Sequence, residues 1–207
     1  INLSTKWRWG MGMLGTRRHT FGNIVGHAKG VTNMNSLMEW TSDQFDLALD
    51  WEKVKAIKKK WGGKMILKGI LNVEDARKAV ETGADAIIVS NHGGRQLDGA
   101  VSSVEMLPQI VDAVGDKIEV LFDGGIRSGQ SVLKAVALGA KGAFIGRPYL
   151  YALGAEGQRG VEKMLAFMHK EMDVTMALMG HNDIQNVGHD DLIDPAKVLN
   201  PWMGPAA

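Results

Sequence analysis

The sequence predicts an α/β fold whose parallel sheet forms the C-terminal half of a TIM (β/α)8 barrel, strands 5 to 8. Three observations support this prediction. Helical and strand patterns alternate without a break from about residue 50 to residue 179. The strand runs are almost entirely apolar, as in Ala86–Val89, which is typical of strands covered on both faces. Glycine-rich turns that contain arginine follow the last two strands, where barrels of this class bind phosphate.

The individual elements follow from periodicity and capping signals. The first helix is predicted over 50–61, because apolar residues at helical spacing oppose a lysine-rich face. Asn72 is the expected N-cap of the second helix, which ends near Gly83. The methionines of the last helix are expected to pack in the core, whereas His169 and His181 have no evident partner. The predicted strands are 65–71, 85–90, 118–123 and 142–146, and the remaining helices are 103–114, 131–138 and 161–179.

Four such strands also fit an open, doubly wound sheet. The run Asp123-Gly-Gly-Ile-Arg-Ser-Gly129 and the pair Gly146-Arg147 favour the barrel. Glycine amides can approach phosphate oxygens closely, and Arg127 and Arg147 supply charge and forked donors. A Gly-Gly turn alone is more often only tight geometry, but two basic glycine turns after neighbouring strands indicate a phosphate site. A Rossmann fold is excluded, since no Gly-x-Gly-x-x-Gly with a following acid joins a strand to a helix.

A polar loop follows the apolar strand 85–90. It contains His92 and Arg95, separated by Gly93 and Gly94, which remove side-chain bulk and let a ligand lie against the backbone. Histidine is easily poised for proton transfer near neutrality, and arginine fits a carboxylate. A lone loop histidine is usually only solvated, but the strand end, the glycines and Arg95 favour a site for a small carboxylate that carries a proton to remove.

Lys68 interrupts the apolar strand 65–71. Such a lysine usually lies at an exposed edge or extends to the surface. At the C-terminal end of a barrel strand it could instead face a cofactor and stabilise negative charge there.

Composition excludes several classes. The net charge of +1 argues against a dedicated nucleic-acid binder. The absence of cysteine excludes disulfides, thiolate metal sites and a cysteine nucleophile, and fits an intracellular protein. No apolar run approaches the roughly 18 residues of a membrane span.

Both ends of the chain differ from the central part, 46–190. Residues 1–45 are basic, rich in Trp and Met and broken by glycines, so we expect a mobile loop rather than one continuous helix. This composition suits contact with a membrane surface, and a mobile lid is an equally good interpretation. Residues 191–207 contain three prolines and are expected to form an extended tail that could reach a neighbouring subunit.

The motif Ser90-Asn-His-Gly-Gly-Arg-Gln-Leu-Asp98 resembles the active-site motif of the FMN-dependent α-hydroxy-acid oxidase and dehydrogenase family. This family includes cytochrome- or quinone-linked L-lactate dehydrogenases, mandelate dehydrogenase and glycolate oxidase. The resemblance covers about residues 16–190. By it, residues 1–40 correspond to the long segment after the fourth barrel strand, a lid in some members and a membrane-docking segment in others.

The resemblance implies a cofactor, FMN, and a reaction, the oxidation of an L-2-hydroxy acid such as L-lactate to the 2-oxo acid. His92 corresponds to the catalytic base and Arg95 to the arginine that binds the substrate carboxylate. Electrons would pass from FMN to a quinone or cytochrome, or to oxygen in an oxidase. The expected FMN-binding residues are Lys68, Ser90, His92, Gly93, Asp123, Gly124, Gly125, Arg127, Gly146 and Arg147.

The resemblance also sets expectations for partners. The family's first four strands, with further active-site residues, have no counterpart here, so an N-terminal half of the barrel is expected from the same protein or from another fragment. We also expect a homo-oligomer, a tetramer, located in the cytoplasm with the alternative of peripheral attachment to the inner face of the cell membrane. An alternative of another class is a non-catalytic half barrel that binds FMN or phosphate as a structural subunit.

Overall fold

The computed structural model describes residues 7–16, 21–25, 27–44 and 46–193. These residues form two compact units, divided between Asp50 and Trp51. The predicted C-terminal tail lies outside the described residues from 194 onward, as do Lys6, Arg17 and Arg18 of the N-terminal segment.

The N-terminal unit contains two helices, α1 (Trp7–Gly15) and α2 (Met34–Asp43). The prediction of loop throughout 1–45 was therefore wrong for these residues. Helix α2 begins at a capping box, in which Asn33 Oδ1 accepts a hydrogen bond from Ser36 N at 3.0 Å and Ser36 Oγ accepts one from Asn33 N at 3.0 Å. Such caps stabilise a short helix even in a glycine-rich sequence, and the glycine-containing turns between the helices keep them separate.

The second unit is a four-stranded parallel sheet in the order β1-β2-β3-β4. The predicted α/β half barrel is confirmed in its sheet order and alternation. Its strands are β1 (Ile66–Ile70), β2 (Ala86–Val89), β3 (Glu119–Asp123) and β4 (Gly142–Phe144). Its helices are α3 (Trp51–Trp61), α4 (Val73–Glu81), α5 (Ser103–Val114), α6 (Gly129–Ala137), α7 (Arg147–Glu156) and α8 (Gln158–Met179).

One face of the sheet packs under the helices. Ile87, Val89, Val120 and Phe122 point to this face and are at most 2% exposed. Helix α5 covers them with Leu107, Ile110 and Val114, which recur at helical spacing. Burial of each such side chain contributes about 1.5–3 kcal/mol, so this layer provides the main hydrophobic core.

The opposite face, which we call the inner face, is only partly covered. Ile66 of β1 is 49% exposed and Phe144 of β4 is 45% exposed. Leu121 of β3 is half-buried. Because side chains alternate along a strand, these residues share the inner face with Lys68 and Asp123. Asp123 and Phe144 pair at the carboxyl end of this face, Lys68 and Leu121 lie one level below them, and Ile66 lies at its amino end.

A charged cluster ties the amino ends of β1 and β2 to α3. Asp85 accepts hydrogen bonds from Met65 N at 2.8 Å and from Lys58 Nζ, and its other oxygen lies 2.9 Å from Lys64 Nζ. Lys58 chiefly, followed by Lys64 and the Met65 amide, holds the pKa of the Asp85 carboxyl well below its usual range. This cluster lies at the opposite end of the sheet from the glycine-rich turns.

The two histidines that had no evident partner in the sequence are paired, so that prediction was wrong. His169 Nδ1 lies 3.2 Å from Asp173 Oδ2 one turn along α8. His181 Nε2 lies 2.8 Å from Asp191 Oδ1, and Gly188 N donates to Asp191 Oδ2 at 2.9 Å. The Gly188 amide first, and His181 second, lower the pKa of Asp191.

The methionines of α8 pack inward as expected. Met168 is 8% exposed and belongs to the main core. Met172, Met176 and Met179 pack against a smaller cluster formed by Leu133, Ala137 and Val187. No helix in the described part of the chain has the length and apolar character needed to cross a bilayer.

Candidate active site

A hydrogen-bonded network joins the carboxyl ends of the first three strands. Ser90 Oγ accepts from Lys68 Nζ at 2.9 Å and donates to Asp123 Oδ1 at 2.7 Å. Lys68 Nζ also lies 3.1 Å from Asp123 Oδ2. The Lys68 side chain is 38% exposed and thus keeps access to the space above the sheet. The network therefore holds the Lys68 ammonium at the strand ends, where it is paired with the Asp123 carboxylate.

The loop after β2 is held in an uncommon conformation. The backbone of His92 has φ 56°, the one positive φ at a non-glycine residue among those described, and Gly93 and Gly94 follow with φ 72° and 68°. The His92 amide donates to Ser90 Oγ at 3.1 Å, and the Gly93 amide donates to Asn91 Oδ1 at 3.0 Å. Non-glycine residues held in this region of conformational space concentrate at functional sites. The loop thus presents His92 in a geometry that its neighbours enforce.

Glycine turns follow β3 and β4, as predicted. Gly124 and Gly125 have φ 119° and 84°, values that side chains rarely adopt. A Cβ on Gly124 would also lie 2.3 Å from Ser103 Oγ, so the turn needs glycine there for space as well. Ser128 then caps α6, where its Oγ accepts from Ser131 N at 3.2 Å. The turn at Gly146 leads directly into α7, a helix that the sequence analysis did not predict.

The loops enclose a cavity of about 220 Å³ at the carboxyl end of the strands. Every predicted site residue except Ser90 lines it, and Ser90 is fully buried beneath. Phe144, Ile126, Pro148 and Leu150 add apolar surface that the sequence analysis missed. The predicted residues in the lining are Lys68, His92, Gly93, Arg95, Asp123, Gly124, Gly125, Arg127, Gly146 and Arg147.

The lining fits a phosphorylated flavin by the chemistry of its donors. Arg127 and Arg147 provide forked cationic donors beside turns with little side-chain bulk. A Cβ on Gly93 would lie 3.3 Å from Arg147 Nη2, so the His92 loop and the turn after β4 meet above the sheet. These turns could hold the phosphate of FMN, and Lys68 could face its ring. The His/Asp/Glu side chains in the described ranges form no cluster suited to a metal ion.

Some supporting residues had no clear sequence signal. Glu171 of α8 accepts a hydrogen bond from Gly129 N at 2.7 Å and so ties the turn after β3 to a distant helix. Ser103 is 3% exposed beside Gly124. Both contacts depend on tertiary packing across many residues. Asn91, in contrast, lies within the motif 90–98. Its side chain accepts a hydrogen bond from the amide two residues ahead, at Gly93, which is a common turn that the sequence can indicate.

Comparison with known proteins places the chain in a family. The model of the FMN-dependent dehydrogenase family matches residues 1–194. An L-lactate dehydrogenase of Caulobacter vibrioides (strain NA1000 / CB15N) is 44% identical over 192 residues, which cover 93% of this chain and 50% of the relative. An L-lactate dehydrogenase of Pseudomonas syringae pv. syringae (strain B728a) is 47% identical over 187 residues, with 90% and 49% covered. The chain thus spans about half the length of these relatives.

Solved structures show the same relationship. The monotopic membrane protein (S)-mandelate dehydrogenase superposes with a TM-score of 0.80 at 36% identity, covering 90% of this chain and 49% of that one. Mandelate oxidase superposes with a TM-score of 0.68 at 49% identity, covering 73% and 44%. Since the family model matches nearly the whole chain and the fold agrees, this chain belongs to the FMN-dependent dehydrogenase family.

Proposed function

We propose that the protein oxidises an L-2-hydroxy acid, with L-lactate as the first candidate, to the 2-oxo acid. The observation that carries this proposal is that His92, Arg95 and Lys68 line the same cavity as the two basic glycine turns. The lactate substrate is supported by the names of the relatives at 44–47% identity. FMN, when bound, would accept the two electrons released from the substrate.

The residues of this chain divide the remaining tasks. Arg95 binds the substrate carboxylate through its forked guanidinium, and a ring nitrogen of His92 accepts one proton of the hydroxy acid. This proton comes from the hydroxyl group if the hydrogen on the 2-carbon leaves as hydride, and from the 2-carbon if the reaction passes through a carbanion, in which case the hydroxyl proton is released as the ketone forms. Lys68, held by Ser90 and Asp123, places positive charge where the cofactor gains electrons.

The phosphate of FMN is assigned to the turns after β3 and β4. Replacing Arg147 by alanine should weaken FMN binding about 10- to 150-fold, the loss expected for a charged hydrogen-bonding group, and should leave riboflavin binding nearly unchanged. Exposed Arg159, outside the cavity lining, provides the matched control. Flavin fluorescence titrations measure both affinities. An equal loss for FMN and riboflavin would remove Arg147 from the phosphate site.

The test of the reaction is a visible spectrum of the purified protein before and after anaerobic L-lactate. A flavin band that bleaches supports the proposal, and His92→Gln should slow bleaching about 10²- to 10⁴-fold. His169→Gln is the control, because this exposed histidine pairs with Asp173 on α8. A flavin band indifferent to lactate but bleached by mandelate or glycolate would change the substrate and keep the mechanism.

The electron acceptor is proposed to be a quinone or a cytochrome. Rapid reoxidation of the bleached flavin by air alone would instead make the protein an oxidase, an outcome that the resemblance to mandelate oxidase keeps open. Flavin binding without bleaching by any 2-hydroxy acid would favour the structural half-barrel alternative.

Residues 1–40 are proposed to contact a membrane surface at the cytoplasmic face. Helix α1 supports this, because Trp7, Met11 and Leu14 are 63–86% exposed, and the similar (S)-mandelate dehydrogenase is a monotopic membrane protein. In vesicle flotation, the chain should float with anionic vesicles. A variant that carries both Met11→Ser and Leu14→Ser should no longer float with them. Exposed Leu47, replaced by Ser, is the control. Failure of the wild-type chain to float would favour the lid interpretation.

We further propose that an N-terminal half barrel covers the inner face, and that the assembled protein is a homo-oligomer, a tetramer. The exposed Ile66 and Phe144 support the first part, since a complete barrel buries this face. Light scattering of the chain alone and of the chain mixed with the corresponding half of a relative tests both parts. If the chain is a folded, monodisperse monomer and does not bind the added N-terminal half, both parts of this proposal are contradicted.

A further inference from the structure

Gly69 lies in an irregularity of β1. Lys68 pairs with Ile88 and Ile70 pairs with Val89, so Gly69 is an extra residue in the ladder between β1 and β2. Its φ is 96°, outside the range of ordinary strand residues. The bulge lets Lys68 point to the inner face while Ile70 joins Leu67 in the core under the helices. The strand therefore needs this bulge for packing and for the placement of Lys68.

The bulge also receives the ring of His92. A Cβ built on Gly69 would lie 2.9 Å from His92 Cε1, and 3.7 and 3.8 Å from Nδ1 and Nε2. The Cε1 edge of the imidazole thus occupies the space that any side chain at residue 69 would need. The two ring nitrogens flank this contact at nearly equal distances, so the contact does not consume either nitrogen.

Two separate contacts then hold His92. Ser90 Oγ accepts from its backbone amide at 3.1 Å and fixes the strained backbone. Gly69, on the neighbouring strand, provides the surface against which the ring rests. A displacement of reacting groups by about 1 Å is enough to slow an enzyme about 10²-fold, so the fit between Gly69 and the ring bears on chemistry.

We propose that Gly69 is a positioning residue for His92, which it orients by leaving room for the imidazole at the bulge of β1. The role of His92 as the base that accepts a proton from the substrate rests on the proposed function. The position of the ring itself does not, and it is measurable without cofactor or substrate.

The test compares Gly69→Ala with Gly83→Ala. Gly83 also has a positive φ, 73°, but has open space where a Cβ would be. Both substitutions therefore strain the backbone, and only the first meets His92. Imidazole resonances are assigned with His92→Gln and followed in the full chain by NMR. The chemical shifts of the His92 ring should change in Gly69→Ala and stay at wild-type values in Gly83→Ala.

A measurement on the unsubstituted chain keeps the test decisive if Gly69→Ala fails to fold. The His92 Hε1 proton should give a strong NOE to a Gly69 Hα proton, because Cε1 lies against that edge of the glycine. Absence of this NOE in the folded chain, or unchanged His92 shifts in Gly69→Ala, would overturn the proposal.

Turnover separates this proposal from the proposed function. In the flavin-loaded, active assembly, Gly69→Ala should lower kcat about 10²-fold with little change in KM, whereas Gly83→Ala should leave both constants near wild type. If the NOE and the shifts are as expected but the wild type oxidises neither L-lactate nor mandelate nor glycolate, the proposed function is refuted and the positioning of His92 by Gly69 is retained. Equal losses of kcat in both variants would assign the effect to backbone strain and refute the positioning role.

Discussion

Replacing Ser90 by alanine is expected to destabilise the protein far more than the loss of one hydroxyl suggests. Ser90 is fully buried, and its Oγ makes three hydrogen bonds. It accepts from Lys68 Nζ at 2.9 Å and from His92 N at 3.1 Å, and it donates to Asp123 Oδ1 at 2.7 Å. The substitution leaves all three partners without this oxygen, and alanine offers no replacement.

The size of the effect follows from the partners. The neutral bond to the His92 amide contributes about 0.5–1.5 kcal/mol, and the bond to the Asp123 carboxylate about 1.5–3 kcal/mol. The lost hydrogen bond to Lys68 contributes less to the destabilisation, because the Lys68 ammonium remains 3.1 Å from Asp123 Oδ2 and its side chain is 38% exposed to water. The free energy of unfolding should therefore fall by about 2–4.5 kcal/mol.

Thr82→Val is the matched control. The Thr82 hydroxyl is also buried, but it makes one hydrogen bond, donated to Ala79 O at 2.7 Å, so Thr82→Val should lower the free energy of unfolding by about 1 kcal/mol. Urea unfolding followed by circular dichroism measures both variants against the wild type. A loss for Ser90→Ala no larger than that for Thr82→Val would refute the conclusion that Ser90 joins three strands into one network.

Three further predictions concern the scaffold. Glu171→Ala should lower the unfolding free energy by about 1.5–3 kcal/mol and weaken FMN more than riboflavin in fluorescence titrations, because Glu171 binds the Gly129 amide beside the phosphate turn. Leu107→Ala should cost about 2–5 kcal/mol in urea unfolding, since Leu107 is fully buried in the main core. Asp85 should stabilise the protein above its unfolded pKa of about 3.9 and progressively less as the pH falls below that value, because Lys58 chiefly lowers the pKa of Asp85 in the folded protein. The difference in unfolding free energy between the wild type and Asp85→Asn should therefore shrink between about pH 6 and pH 3. A difference that stays constant over this range would contradict the prediction.

Local signals predicted most of the second unit. Helix α5 has the bounds expected from periodicity, 103–114, and Asn72 caps α4 by accepting from Asp75 N at 2.7 Å. These features depend on neighbours within one or two turns, which is why the sequence alone is informative. Helix α7 was missed because its start, Gly146-Arg147, was interpreted only as a phosphate turn. Its Arg-Pro opening is in fact a usual way to begin a helix.

Other features depend on distant residues and could not be predicted. His181 and Asp191 pair across two turns, and their separation of ten residues does not correspond to a contact within one helix. The fit of Gly69 to His92 requires the bulge of β1, and a single glycine in a strand does not reveal which side chain approaches it. His169 with Asp173 is different, since a histidine and an acid four residues apart on a helix could have been recognised as neighbours.

The candidate site depends on the register of the parallel sheet. Lys68, Ile88 and Leu121 lie side by side in the ladder, and the alternation of side chains then carries Ser90 and Asp123 to the same inner face two residues further on. The apolar outer residues enforce this register, because a slip of one residue would bury Lys68 under the helices and expose Leu67. The bulge at Gly69 adds one residue to β1 alone, so Lys68 is retained on the inner face while His92 gains space above it. The alternation of side chains along the strands thus specifies both the hydrophobic core and the candidate site. Substitutions on the face that packs under the helices should therefore disturb the site by shifting the strands.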